Sequence, residues 1–153
     1  MIFREIKESD LDELLIVRSS TDENRLTIEE LNNLGINSKT TSEKMQHDLK
    51  GWLCEVDNRI VGFSMGFAET GEMWVIAVLP DYIQKGIGTN LLSRIEKFLF
   101  QHNEEIWLTT DIDTNLRAYS FYKSNGWQDK EIRDGERIMV KTNIQTKPIA
   151  GGD

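Results

Sequence analysis

Apolar residues recur along the chain with two periods, one typical of amphipathic helices and the other of β-strands. In the first third, Ser9 with Asp12 has the spacing of a helix capping box, and boxes of the same spacing begin at Thr27 and Thr40. The pattern predicts, in order, a strand over 2–7, a helix to about Ser20, a helix over about 28–34 and a third helical stretch that Gly51 ends.

Strand character dominates from Trp52 onward, interrupted by two helical patterns. The apolar run from Met73 to Leu79 indicates a buried strand, which Pro80 ends. After Gly88, apolar residues at helical spacing form one continuous face, which is typical of an amphipathic helix. The predicted strands are 52–56, 60–68, 73–79, 105–110, 128–133 and 136–142, and the predicted helices cover about 87–99 and 117–124.

This order of elements predicts the fold class. Strands joined by tight turns pair antiparallel, whereas the strand–helix–strand crossover that follows Leu79 requires one parallel pair. The expected architecture is α/β (α+β), with a mixed, mostly antiparallel sheet of six to seven strands, one parallel central pair and flanking helices. We expect a single domain over residues 1–142, and the polar segment 143–153, with its proline and glycines, is predicted to be a disordered tail.

Composition narrows the function classes. The 153 residues carry a formal net charge of −8, which argues against nucleic acid as a partner because phosphate binding needs a basic surface. The acidity is compatible with a cationic amine substrate, although solubility alone explains it as well. The N-terminus lacks the pattern of a signal peptide, no apolar run is long enough to span a membrane, and Cys54 has no second cysteine to pair with. A cytoplasmic protein without a membrane partner is therefore expected.

The loop after the apolar run has candidate chemistry. It contains Gly86 and Gly88 and leads directly into the amphipathic helix. Glycines let a loop turn its N–H groups inward, and a helix N-terminus favours negative charge, so the segment could hold a pyrophosphate. A tight turn without a ligand would have the same appearance. Two other phosphate motifs are excluded, because Leu91 stands where the dinucleotide-binding fingerprint needs glycine and no Gly-Lys-Ser/Thr tripeptide occurs.

A second stretch combines Asn115, Ala118, Phe121 and Tyr122 with a closing Gly-Trp pair. By itself this pattern describes equally well the core face of a short helix. Together with the strand ending in V-L-P and the K-G-I-G-T loop, however, the N-x-x-A-x-x-F-Y-x-x-x-G-W pattern resembles the GNAT superfamily of acyl-CoA N-acyltransferases. The resemblance covers about residues 1–142, and its sharpest motifs lie between Glu72 and Trp127.

The resemblance implies acetyl-CoA as co-substrate, with no metal. It places the pyrophosphate of coenzyme A on backbone amides of the loop and the pantetheine arm along the end of the buried strand, with Asn115 as a further partner. One residue departs from the family pattern, because Ile83 stands where a glutamine or arginine is usual and Gln84 follows one position late. The cofactor-binding residues implied in this way are Val78, Leu79, Gln84, Lys85, Gly86, Ile87, Gly88, Thr89, Asn115 and Tyr122.

The resemblance also implies two catalytic residues. Tyr122 would face the sulfur and return a proton to the leaving thiolate. Glu72 matches the general-base glutamate of histone-acetyltransferase-like members, since an alkylamine is mostly protonated at pH 7 and must lose a proton before it attacks. A solvated turn residue is an equal interpretation of Glu72, and Asp111 or an ordered water is the alternative base.

The acceptor is left open by the sequence. A small amine, an aminoglycoside-like antibiotic and an amine of a protein or peptide all fit the resemblance, which is also compatible with a homodimer. The segment at about 18–50, which builds the acceptor site in this fold, contains no motif that selects among them. A different class of function is a sensor or scaffold that holds acetyl-CoA without turnover, and loss of Tyr122 or of every nearby carboxylate would favour it.

Overall fold

The computed structural model of the protein describes residues 1–143. Its strands form one seven-stranded sheet in the order β1-β2-β3-β4-β5-β7-β6, and five α-helices join them. The strands are β1 (Ile2–Glu5), β2 (Leu49–Val56), β3 (Arg59–Phe67), β4 (Glu72–Val78), β5 (Glu105–Asp111), β6 (Gln128–Arg133) and β7 (Glu136–Thr142). The helices are α1 (Leu11–Arg18), α2 (Ile28–Asn33), α3 (Ser38–Met45), α4 (Ile87–Phe100) and α5 (Arg117–Ser124).

The sheet is antiparallel except between β4 and β5, which run parallel. This confirms the predicted mixed sheet with one parallel central pair. The parallel pair arises because α4 carries the chain from the end of β4 back across the sheet before β5 begins. None of the helices in residues 1–143 is long and apolar enough to cross a bilayer.

The core occupies both faces of the sheet. On one face α1 packs on β2, β3 and β4 through buried residues that include Leu14, Leu53 and Phe63. On the other face α4 buries Ile87, Leu91 and its neighbours against the same strands. Successive side chains of β3 point to opposite faces of the sheet, so this one strand contributes buried residues to the core on both faces.

The start of the sheet differs from the prediction. The strand β2 begins at Leu49, and Gly51 lies inside it rather than at the end of a helix. A side chain at Gly51 would place its Cβ 2.2 Å from the carbonyl oxygen of Ser64 on β3, so the glycine permits a close cross-strand approach. The preceding helix ends earlier, at Met45, and its N-cap is Asn37 rather than Thr40.

One of the three predicted capping boxes is present. Thr27 accepts the N–H of Glu30, and Glu30 accepts the N–H of Thr27. The box predicted at Ser9 is wrong, because the carboxylate of Asp10 takes the local N–H, that of Lys7, and forms an ion pair with Arg4. The predicted tail at 143–153 falls, apart from Asn143, outside the described residues.

The C-terminal half is tied to α4 by a buried polar cluster. The Oε2 atom of Glu96 accepts the indole N–H of Trp127 at 2.9 Å, and its Oε1 atom lies 2.8 Å from the ammonium of Lys141. Buried charge is tolerated when it is paired and hydrogen-bonded in this way. The cluster fixes the end of α5 and the strand β7 relative to α4, and so sets the width of the space between α4 and α5.

Candidate active site

The parallel strands β4 and β5 separate toward their carboxyl ends. They pair only at Glu72 and Trp107, so the last residues of β4 have no neighbouring strand on the side that faces β5. The Leu79 N–H bonds to Val61 on β3 at 2.8 Å. Because backbone groups alternate in direction along a strand, the N–H groups of Val78 and Ile76 face the gap instead. An extended ligand chain could therefore pair with β4 there, as an added strand does.

A cavity of about 1070 Å³ opens from this gap. One end reaches α5 and the loop before α4 (residues 83–86), which we call the phosphate-type loop. The other end reaches α1, the loop after it and α2. Its walls include four residues predicted from the sequence to form the site, Val78, Gln84, Gly88 and Tyr122. The structure thus joins the two motifs, which are about 35 residues apart, in one continuous space.

The loop before α4 presents a group of unpaired N–H donors. Two of its residues, Gln84 with φ of 65° and Gly86 with φ of 82°, adopt left-handed backbone conformations that turn the chain sharply. Within the described protein, the backbone N–H groups of residues 84–89 donate to no carbonyl or side chain, and α4 has no side-chain N-cap. Unpaired donors at a helix N-terminus favour an anion, and the pyrophosphate expected on this loop stays a prediction.

The two glycines of the loop have different roles in the structure. Gly86 has open space around it, and its left-handed backbone is the feature that disfavours other residues. Gly88 lies inside α4, where an added Cβ would sit 3.5 Å from Phe121 and 3.9 Å from Val78. These are ordinary contact distances, so a single Cβ at Gly88 would fit, and the position has no left-handed backbone that requires glycine.

Tyr122 is placed by α5 at the wall of the cavity and is 7% exposed. Its hydroxyl forms no hydrogen bond with the described residues, and it is not among the polar atoms sealed from solvent without a partner. Burial raises the pKa of the Tyr122 phenol above its usual value. The phenol therefore stays protonated at neutral pH and can donate to a ligand in the cavity.

Three carboxylates lie at strand termini, at the start of β4, the end of β5 and the start of β7. Asp111 and Glu136 are opposite one another in the β5–β7 register, and both line the cavity. Glu72 is half-buried, and the cavity wall on β4 begins one residue after it. Burial raises the pKa of the Glu72 carboxyl, and the negative charge of Glu136 raises it further. A raised pKa makes Glu72 a stronger base than an ordinary glutamate.

The other predicted residues do not line the cavity. Lys85, in the loop before α4, and Thr89, in the first turn of α4, are exposed. Asn115 is exposed in the β5–α5 loop, where its N–H bonds to Asp113, and it does not line the cavity wall. The N–H of Leu79 is committed to β3 and is unavailable to a ligand.

Sequence reasoning missed two residues of the site. Ile76 presents its backbone to the gap, and the strand alternation that separates it from Leu79 could have identified it. Glu136 follows the Asp134–Gly135 turn, and its position beside Asp111 depends on the pairing of β5 with β7. No local pattern in the sequence contains that long-range pairing.

The chain resembles known proteins in sequence. Residues 12–127 match the sequence profile of the family described as Acetyltransferase (GNAT) family. An uncharacterised N-acetyltransferase of Methanocaldococcus jannaschii is 31% identical over 110 residues, which represent 63% of this chain and 47% of that protein. The chain therefore spans about half the length of that relative. A second uncharacterised N-acetyltransferase of the same organism is 29% identical over 66% of this chain and 69% of its own length.

Solved structures share the fold. The PaiA N-acetyltransferase from Thermoplasma acidophilum, crystallised in complex with coenzyme A, superimposes with a TM-score of 0.78 at 22% identity, covering 94% of this chain and 100% of that one. The ribosomal-protein-S18-alanine N-acetyltransferase from Escherichia coli gives a TM-score of 0.72 at 19% identity over 92% of both chains. At these identities the likeness establishes the architecture.

Proposed function

The chain belongs to the Acetyltransferase (GNAT) family, and on that premise we propose that it transfers the acetyl group of acetyl-CoA to an amine. The observation that carries the proposal is the cavity that joins unpaired N–H groups at the start of α4, the gap beside β4 and the Tyr122 hydroxyl. These three features match the three parts of the donor, which are its pyrophosphate, its amide-containing arm and its sulfur.

The donor is held mainly by backbone groups. The pyrophosphate sits on the N–H groups of residues 84–89, where the positive end of α4 favours it. The pantetheine arm pairs with β4 at Val78, and the N–H of Ile76 polarises the thioester carbonyl. Because these contacts are made by the main chain, the substitution of Ile83 for the usual polar residue weakens binding without abolishing it. Asn115 supplies a hydrogen bond to the arm from the β5–α5 loop.

The reaction is a direct attack by the amine on the thioester. A bond forms between the amine nitrogen and the carbonyl carbon, and the carbon–sulfur bond breaks. Tyr122 donates a hydrogen bond to the sulfur and gives its proton to the thiolate as negative charge develops there, and the second proton released by the nitrogen as the amide forms restores the phenol. The raised pKa of Tyr122 makes proton transfer before bond cleavage unfavourable, so transfer accompanies the departure of the thiolate.

Glu72 removes the proton that the attacking amine must lose. Since the cavity wall begins at Met73, the proton reaches Glu72 through a water molecule. Glu136 keeps the pKa of Glu72 raised, and Asp111 holds the protonated amine before it reacts. A base whose pKa approaches the working pH combines a high ionised fraction with strong proton affinity.

Binding of the donor is tested by thermal unfolding. Acetyl-CoA at a hundred times its dissociation constant should stabilise the protein by about 2.7 kcal/mol. For a chain of this size that free energy corresponds to a rise in Tm of roughly 5–10 °C. An unchanged Tm in saturating acetyl-CoA would contradict the proposal. A raised Tm without thiol release across amines, antibiotics and peptides would instead indicate a protein that binds the donor without turnover.

The role of Glu72 is tested by the pH profile of kcat/KM. The profile should rise through an apparent pKa above that of an ordinary glutamate, because burial and Glu136 both favour the protonated form. In Glu72→Gln this rise should disappear, and activity should recover only as pH approaches the pKa of the amine. Removing the neighbouring charge with Glu136→Gln should shift the wild-type rise to lower pH.

Stability provides the matching control for Glu72. A folded-state pKa above the unfolded value means that stability falls as pH rises through the interval between the two. Glu72→Gln should therefore be no less stable than the wild type at pH 7, and Glu69→Gln, an exposed neighbour, should change neither profile. A wild-type pH profile in Glu72→Gln would transfer the role of base to Asp111 or to water.

A further inference from the structure

Arg18, at the end of α1, is a cation without a counter-ion. Its side chain lines the cavity at the end remote from the phosphate-type loop and is half-buried. Its one hydrogen bond is from Nη1 to the backbone carbonyl of Asn24, at 3.2 Å. Within residues 1–143 it forms no ion pair. Most of the five N–H donors of this guanidinium are thus unused by the protein.

Leaving such a group unpaired is costly. Burial lowers the pKa of Arg18, but an arginine remains charged at any physiological pH. A half-buried charge without a counter-ion loses part of its hydration, and the one contact with the Asn24 carbonyl compensates for only part of that loss. An anion that enters the cavity would supply the missing attraction, so Arg18 favours an anionic group on the ligand.

The nearest acidic residues along the chain are already engaged elsewhere. Asp22 and Glu23, in the loop after α1, both form ion pairs with Arg117 at the start of α5. Glu23 also accepts the backbone N–H of Arg117 at 2.9 Å. These contacts tie the loop to the start of α5, and neither carboxylate forms an ion pair with Arg18. The carbonyl of Asn24, in the same loop, holds the guanidinium in place.

Two further carboxylates line the same cavity. They belong to Asp111, at the end of β5, and Glu136, at the start of β7. We propose that the acceptor is a small amine that also bears a carboxylate, and that Arg18 binds this carboxylate while the amine faces Asp111 and Glu136. The proposal rests on the proposed function and adds a substrate class to it.

The experiment compares acids with their amides. The wild-type protein is assayed by thiol release from acetyl-CoA with a panel of free amino acids, ω-amino acids of increasing length, and the carboxamide of each. At least one acid should be acetylated with kcat/KM about ten- to a hundredfold above its amide, as expected for a charge-assisted contact. Without a contact to the carboxylate, the amide should react faster than the acid. Its amine has a lower pKa, so a larger fraction is unprotonated and able to attack at pH 7.

Variants assign the preference to Arg18. In Arg18→Gln the kcat/KM for the preferred acid should fall by about ten- to a hundredfold, while its amide is little affected. The affinity for acetyl-CoA should stay unchanged, and the Tm without ligand should be equal or higher because an unpaired charge has been removed. Arg59→Gln, an exposed arginine of the β2–β3 hairpin, serves as the control.

Three results would overturn the proposal. If the wild type acetylates amides or simple amines as well as acids, Arg18 selects no carboxylate, although the acetyltransferase function stands. If Arg18→Gln keeps the preference, the carboxylate binds elsewhere. If Arg18→Gln loses affinity for acetyl-CoA, the arginine belongs to the donor site.

Discussion

Turnover of the Tyr122→Phe variant is expected to fall by about 10²- to 10⁴-fold, with little change in the affinity for acetyl-CoA. The substitution removes the hydroxyl that faces the cavity and keeps the buried ring in contact with Trp127 and Phe121. The thiolate then leaves without its hydrogen-bond donor. The measurement is the single-turnover rate of thiol release, together with calorimetric binding of acetyl-CoA.

Tyr119→Phe is the matched control. Tyr119 is also on α5, but its hydroxyl bonds to Asp129 at 2.9 Å and it does not line the cavity. Loss of the Tyr119 hydroxyl should leave the single-turnover rate of thiol release near the wild-type value. A Tyr122→Phe enzyme with an unchanged single-turnover rate would make Tyr122 a packing residue and water the source of the proton.

Gly88→Val is expected to weaken coenzyme A binding by between about tenfold and a hundredfold or more. A valine at this position extends two methyl groups into the cleft beside Phe121 and Val78. The proposed function places the donor in this cleft. Overpacking of this kind typically costs about 1–3 kcal/mol, and each 1.4 kcal/mol is a factor of ten in affinity. Isothermal titration with coenzyme A measures the loss directly.

Gly88→Ala separates steric obstruction from damage to the helix. A single Cβ has room at 3.5 Å from Phe121, and alanine favours the helical conformation over glycine. The alanine variant should therefore fold at least as stably as the wild type and retain most of its affinity. If Gly88→Val unfolds without ligand, or binds coenzyme A normally, the glycine does not serve to keep the donor cleft open.

The strands and helices after Trp52 were predictable because local signals mark each of them. Turn residues separate the strands, and the apolar face of α4 is continuous over four turns. The segment before β2 was harder, because short helices have few residues with which to show a period. Capping signals were misleading in this segment. Glycine often ends a helix, so Gly51 was predicted to end one, yet it lies inside β2, where its backbone closely approaches Ser64 on β3.

The backbone of the candidate site was predictable where it depends on local sequence. The loop from Gln84 to Gly88 leads directly into α4, as its glycines and the helical pattern after it predicted, whereas the ligand roles of its residues stay predictions. Glu136 and Arg18 depend on tertiary pairing instead. Arg18 resembles any exposed arginine in the sequence, and only its burial and the engagement of Asp22 and Glu23 by Arg117 distinguish it.

Because β4 and β5 pair at one position only, the sheet has two halves with a gap between them. Strands β1–β4 form the first half, on which α1 packs, and β5–β7 form the second half, which α5 contacts. Under the proposed function the donor would lie in the gap between these halves and depend on main-chain groups, which survive most substitutions. The acceptor would instead meet side chains such as Arg18 and Asp111. Substitutions at those side chains would then change the acceptor preference without disturbing the binding of the donor.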